Sequence, residues 1–154
     1  MKKLRLYFDT SVFGGIYDIE FQEETRKLFE MVRSGSFICV YSDLTEYGLE
    51  NAPEKIKSHF LSLEKEATEF VEITEEINDL AQEYIREKVV GETSIDDCRH
   101  IACATINKVD YLVSWNFRHI VNVFRIRGYN SINLRNGYLQ IDIRSPKDLI
   151  SNEN

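Results

Sequence analysis

The chain has 154 residues, 43% of them hydrophobic and 29% charged, with two prolines and a formal net charge of −7. Those totals describe a globular chain long enough to bury a core and exclude a disordered or low-complexity polymer. No apolar run approaches the roughly 20 residues that span a bilayer, and Asp9 interrupts the apolar stretch after Lys2 and Lys3 too early for a signal peptide.

In chain order, Leu4 to Phe8 reads as a strand, and Glu20 to Ser34 as a helix with Phe21, Leu28, Met31 and Val32 on one face and Gly35 as its stop. Phe37 to Tyr41 is a continuous apolar run, the pattern of a strand buried on both faces. Ser42 or Asp43 caps a helix to about Asn51, and Pro53 suits the first turn of another over 53–67. A short strand is expected over 69–73. Ile77, Leu80, Ala81, Tyr84 and Ile85 then recur at helical spacing over 75–90, closed by Gly91. A helix is expected from Ser94 to about Asn107, a strand over 111–114, a helix from Asn116 to about Arg127 ended by Gly128, and strands over 131–134 and 139–143. With no linker-like stretch and no repeat, residues 1–150 read as one domain. Strands alternating with helices predict an α/β fold whose mainly parallel sheet is covered by helices on both faces.

The odd cysteine count, Cys39, Cys98 and Cys103, lies in apolar segments without a C-x-x-C spacing. Free thiols in a reducing, cytoplasmic setting follow as the expectation. His59, His100 and His119 show no H-x-x-x-H spacing, so a structural zinc site is not expected. Charge is unevenly spread. Asp43 to Asp97 holds 16 acids and 5 bases, whereas Tyr111 to Lys147 holds 6 bases and 1 acid, which gives the final third a local pull on polyanions.

In parallel α/β sheets, sites form at the carboxyl ends of strands. The first strand runs out into Asp9, and the Tyr111 strand runs out through Ser114 and Trp115 into Asn116. If the two strands are neighbours, a carboxylate and a carboxamide meet, both offering the hard oxygen atoms that Mg²⁺ or Mn²⁺ prefers. Asp97 is the third candidate. Ser94-x-x-Asp97 has the form of a capping box, yet Asp97, Ile101 and Ala104 share one helix face, and an acid at the head of an apolar stripe points into the protein. Asp96 is then the solvent-facing neighbour. Clustered carboxylates without a cation are expected to retain a proton on one of them.

Tyr7-Phe8-Asp9-Thr10-Ser11, Ser42-Asp43-Leu44-Thr45, Asp97-x-x-His100-Ile101-Ala102-x-Ala104 and Leu112-Val113-Ser114-Trp115-Asn116-Phe117-x-His119-Ile120, in that order and spacing, resemble the PIN-domain family. Within that family the resemblance is to the VapC-type toxins of toxin–antitoxin pairs, and it extends over nearly the whole chain. It implies a three-layer α/β sandwich with acids clustered at one sheet edge, and an Mg²⁺- or Mn²⁺-dependent ribonuclease acting on RNA. It also implies a small antitoxin protein as partner, and homodimers are common among members. Carried over by position, Asp9 and Asp97 match two of the family's acids, and Asn116 falls where many members have an aspartate. All three are thereby expected as catalytic and metal-holding residues, with Thr10 or Ser114 bonding the ligands. Arg118, Arg125, Arg127 and Arg135 are candidate phosphate contacts, and Trp115 is expected to pack rather than to stack on a base.

One position departs from the family. Gly48 stands where members carry glutamate, and Glu46 and Glu50, two residues to either side, lie roughly 200° around a helix from it. On the sequence alone, Gly48→Glu should raise metal affinity and cleavage. A rival non-enzymatic reading follows from the same departure: a degenerate PIN domain that binds RNA or an antitoxin. An aspartyl-phosphate phosphatase of the haloacid dehalogenase type ranks below both, because Ser11 stands where its second aspartate is required.

Overall fold

A computed structural model of the protein describes residues 3–88 and 93–150. Its centre is a five-stranded sheet in which β1 (Leu4–Phe8) lies between β2 (Phe37–Ser42) and β4 (Tyr111–Val113), with β3 (Thr68–Val71) and β5 (Ile143–Arg144) outermost. Every pairing among the described strands is parallel. Side chains alternate across each strand, and both faces are covered. Leu6, Phe8 and Cys39 point to a core formed with α1 (Thr10–Gly14), α2 (Gln22–Arg33), α3 (Asp43–Leu49), α4 (Glu54–Leu61) and α8 (Pro146–Ile150). Tyr7 and Val40 point to a second core formed with α5 (Glu75–Glu87), α6 (Ile95–Ile106) and α7 (Val123–Arg135). In the first core the rings of Phe8, Phe13 and Phe29 pack at centroid distances of 5.4 to 6.0 Å. Burial of each such ring is worth about 1.5–3 kcal/mol. No helix among the described residues is long and apolar enough to cross a membrane.

The expected α/β sandwich is therefore present. Several element boundaries differ, each for a local reason. The helix expected over 53–67 stops at Leu61, where the Ser62 hydroxyl donates to His59 O at 2.6 Å and competes with the backbone ladder. A 3-10 turn, Lys65–Ala67, leads on to β3, which covers 68–71 rather than 69–73. The helix expected over 116–127 and the strand expected over 131–134 are both absent. One helix, α7, begins only at Val123, because Asn122 Oδ1 caps it by accepting from the N–H groups of Phe124 and Arg125. It runs through Gly128, burying Tyr129 and Ile132 at helical spacing, and Gly137, at φ +86°, follows its end. The alternation Ser131-Ile132-Asn133-Leu134 imitates a strand, but Asn133 is fully buried and bonded to Tyr84 and Thr105, which needs the helical face. Of the strand expected over 139–143 only Ile143 pairs, with β5 extending to Arg144. The short helices α1 and α8 carried no sequence signal of their own. Val89, Val90 and Gly91, where the fifth helix was expected to end, lie outside the described residues.

Candidate active site

The chain leaves β1 towards β2 on one side of the sheet, and β4 lies on the other side. The carboxyl ends of β1 and β4 thus form the topological switch point, where a crevice opens in such sheets. Asp9 follows β1 and Ser114 follows β4, so their side chains meet there. Ser11 Oγ donates to Asp9 Oδ1 at 2.6 Å, and Ser114 Oγ donates to Asp9 Oδ2 at 2.6 Å. Each serine is itself fixed, because Ser11 Oγ accepts from Trp115 N at 3.0 Å and Ser114 Oγ accepts from Asn116 N at 2.9 Å. Both hydroxyl protons are therefore committed to the carboxylate. Of the two hydroxyls expected to bond the candidate ligands, Ser114 bonds Asp9, and among the described residues Thr10 bonds neither acid. Thr10 turns towards α3 instead, and Ser11 holds the acid.

A cavity of about 270 Å³ lies over this point and is lined by Asp9, Asp97 and Asn116 together with Ser11, Thr10, Leu44, Tyr47, Gly48, Asp96 and His100. The structure thus brings together all three residues singled out from the sequence. Ser94 caps α6 by accepting from Asp97 N–H at 3.1 Å, which leaves the Asp97 carboxylate at the cavity while Ile101 and Ala104 below it are buried. Asp96 is exposed and paired with Arg99 at 2.9 Å, although it also reaches the cavity rim. The carboxamide oxygen of Asn116 accepts from His119 N–H at 3.0 Å, which turns its loop and leaves the amide group at the cavity wall.

Burial lifts the Asp9 carboxyl from 3.8 to about 6. The hydroxyls of Ser11 and Ser114 pull the other way, and the charge of Asp97 adds to the rise. The rise has burial, and not repulsion between the clustered acids, as its first cause. Burial also raises Asp97, against the opposing influence of Ser94 and His119. Among the described residues no three His, Cys, Asp or Glu side chains come close enough to hold a metal ion by themselves. Two carboxylates at an open cavity, with a carboxamide beside them, do fit a cation that keeps several of its own waters. That is the habit of Mg²⁺, and the same set does not fit a dehydrated structural ion. A cation there would also offset the burial that raises Asp9.

The remaining expectations divide. Trp115 is 7% exposed, stacks on Phe21 at 4.1 Å and donates its indole N–H to Thr25 Oγ1, so it packs. Arg125 bonds Thr93 and Arg135 pairs with Glu87 at 2.7 Å. Neither these two nor Arg118 and Arg127 line the cavity. His100 and Ser11 were not singled out as site residues. The signal for each was present in the spacing, Asp97-x-x-His100 placing an imidazole on the acid's own helix face, and Asp9-x-Ser11 placing a hydroxyl one half-turn on.

These groups set an acid response. Burial lowers the imidazole of His100 to about 4, and burial together with Arg33 lowers that of His59 to about 4. The unfolded chain protonates both near 6.5 and the folded protein does not, so the stability they allow is complete above pH 6.5 and is lost as pH falls towards 4. Asp9 acts oppositely: the folded protein binds its proton near 6 and the unfolded chain near 3.8, so acid favours folding over that window. Urea unfolding of Asp9→Asn is accordingly expected to show a steeper loss of stability than wild type between pH 6 and 4. Equal slopes would place Asp9 at an ordinary carboxylate value.

Among solved structures the chain is similar to the VapBC complex from Salmonella typhimurium bound to DNA (TM-score 0.59, 16% identity, covering 93% of this chain and 98% of that one). It is similar to FitAcB from Neisseria gonorrhoeae (TM-score 0.58, 11% identity, 92% and 97%). It is also similar to VapC20 from Mycobacterium tuberculosis, a toxin that cleaves the sarcin–ricin loop (TM-score 0.57, 10% identity, 88% and 98%). No protein-family profile matches the sequence, and no curated protein matches it. At these identities the likeness is one of fold.

Proposed function

We propose that this chain, which has the VapC-type PIN-domain fold, is a divalent-metal-dependent ribonuclease and the toxin of a toxin–antitoxin pair. One observation carries the reading: Asp9 and Asp97, 88 positions apart in the sequence, line a single open cavity at the switch point of the sheet, with both oxygens of Asp9 fixed by hydroxyls. Asp9 and Asp97 would hold Mg²⁺ or Mn²⁺, with Asn116 beside them. When bound, such an ion lowers the pKa of water and neutralises charge on a phosphoryl group.

The chain's own contribution is orientation. Ser11 and Ser114 hold the Asp9 carboxylate in one rotamer, so no side-chain freedom remains to be lost when a cation or phosphate arrives. The capped end of α6 fixes Asp97, and the bond from His119 N–H fixes the Asn116 carboxamide. RNA is the substrate class that this acidic, cation-requiring pocket suits, and the basic final third of the chain supplies charge for its backbone. A small antitoxin is the partner that the solved toxin–antitoxin neighbours suggest. Incubation of purified protein with generic RNA tests the activity: cleavage is expected with Mg²⁺ or Mn²⁺ and not with EDTA. Gly48 favours the second reading, a binding module. RNA binding that persists without cleavage at any metal concentration selects that reading instead.

A further inference from the structure

Tyr7, next to the carboxyl end of β1, is fully buried, and its hydroxyl lies 2.7 Å from Ser42 Oγ and 2.7 Å from His100 Nδ1. Ser42 Oγ accepts from Thr45 N–H at 3.4 Å and lies 3.5 Å from Thr45 Oγ1, which in turn accepts from Ser42 N–H at 3.2 Å. Ser42 and Thr45 are fully buried, and His100 is 6% exposed. Each hydroxyl has one proton to place. If His100 Nδ1 carried the ring proton, it would donate to Tyr7, Tyr7 to Ser42 and Ser42 to Thr45, and the Thr45 proton would be left with the Tyr7 hydroxyl, which already accepts from Nδ1. In the opposite sense, Thr45 to Ser42 to Tyr7 to Nδ1, every proton has an acceptor. Buried hydroxyls are satisfied in folded proteins, so the second sense holds. Nδ1 accepts, and the proton of a neutral imidazole is on Nε2.

Nε2 has no hydrogen-bond partner among the described residues. Among the described residues the enclosed side-chain nitrogens that lack a partner are His59 Nε2 and His119 Nδ1, and His100 Nε2 is not one of them. It therefore opens on the cavity that His100 lines with Asp9, Asp97 and Asn116. A donor that carries no charge is informative in an acid-lined cavity. An imidazolium would pair with the carboxylates and compete with a cation, whereas a neutral N–H does neither and still bonds an anionic oxygen well.

We propose that His100 binds substrate, its Nε2–H donating to a non-bridging phosphoryl oxygen of RNA bound in the cavity that Asp9 and Asp97 line, and that Tyr7 is the positioning residue that fixes the tautomer. The proposal rests on the ribonuclease reading of the cavity and adds the group that grips the phosphate. The probe is a short single-stranded 2′-O-methyl RNA in Ca²⁺, bound without cleavage, so that phosphate contact and catalysis are read separately.

In wild-type protein at neutral pH, the ¹⁵N resonances of His100 should show Nδ1 as the bare nitrogen and Nε2 as the protonated one. The Nε2 resonance should shift when the oligonucleotide is added. A reversed tautomer, an unmoved Nε2, or no binding of the oligonucleotide overturns the proposal, and none of these readouts needs a variant that folds. Among variants, His100→Asn removes the Nε2 position and should weaken oligonucleotide binding about tenfold. His100→Gln can place an N–H near it and should restore most of the loss. Mn²⁺ affinity without RNA should be the same in both variants and wild type. If it falls with oligonucleotide affinity, His100 acts on the metal site and the proposal is wrong. Wild-type protein that binds the oligonucleotide through His100 yet never cleaves RNA leaves this proposal standing and sinks only the nuclease reading.

Discussion

Asp9→Asn is expected to reduce metal-dependent RNA cleavage by at least about a hundredfold, the upper end of what a residue merely supporting a metal ligand costs, while leaving the protein folded. The two parts follow from opposing terms of similar size. A carboxamide can accept a hydroxyl proton on one side only. Because Ser11 Oγ and Ser114 Oγ already accept from Trp115 N and Asn116 N, one serine proton loses its acceptor. A hydrogen bond to a charged group is worth about 1.5–3 kcal/mol. Against that, the substitution removes a buried charge. The rise of the Asp9 carboxyl from 3.8 to about 6 corresponds to about 3 kcal/mol against the ionised folded form at neutral pH. In metal-free buffer the melting temperatures of variant and wild type should therefore differ by only a few degrees.

With Mn²⁺ at about a hundred times its dissociation constant, wild type should gain about 2.7 kcal/mol. That is about 5–10 °C for a chain of this size, and the variant should gain little. The pairing of the two measurements matters. A variant that is inactive but still stabilised by Mn²⁺ would leave Asp9 out of the metal site, and a variant that cleaves at the wild-type rate removes it from the chemistry.

The legible part of this site is the part written in strand ends. Asp9 and Asn116 could be placed because a buried strand that runs out into a polar side chain has few places to put it, and because parallel sheets collect such ends at one edge. Asp97 could be placed because Ile101 and Ala104 continue its helix face into the core. The illegible part lies where local side-chain bonds decide the backbone. Asn116 Oδ1 accepts from His119 N–H, and Asn122 Oδ1 accepts from the N–H groups of Phe124 and Arg125. Together these replace an expected helix over 116–127 with a turn and a later helix start, and no periodicity of apolar residues reports that choice. The Tyr7, Ser42 and His100 chain is illegible for another reason: Tyr7 reads as one more apolar strand residue until its hydroxyl is seen to have partners 35 and 93 positions away.

Gly48 shows how a contact remote in sequence bears on an expectation. A Cβ at position 48 would stand 2.7 Å from Thr10 Oγ1, 3.1 Å from Thr10 Cγ2 and 3.4 Å from Thr10 Cβ. The side chain of Thr10, in the first turn of α1, occupies the space beside Gly48 of α3 at the cavity wall. In a helix interior, glycine costs about 0.5–1 kcal/mol relative to alanine, while forcing atoms into a packed contact costs about 1–3 kcal/mol, so the second term wins. Gly48→Glu alone is therefore expected to lower the melting temperature by about 2–10 °C and not to improve cleavage, the opposite of what the sequence alone suggests. Thr10→Ala removes Oγ1 and Cγ2 and leaves only the 3.4 Å neighbour, an ordinary contact. The double variant Thr10→Ala/Gly48→Glu should recover most of the lost stability and bring a third carboxylate to the cavity that Asp9 and Asp97 line. There its charge should tighten Mn²⁺ binding about tenfold or more and raise the cleavage rate at limiting metal. The four proteins of this cycle, compared by thermal melts and Mn²⁺ titration, give the coupling between positions 10 and 48 directly. Additive stabilities would remove the steric account of Gly48. A double variant that is stable yet binds Mn²⁺ no more tightly than wild type would show that position 48 does not face the cation, and that Gly48 says nothing about the strength of this site.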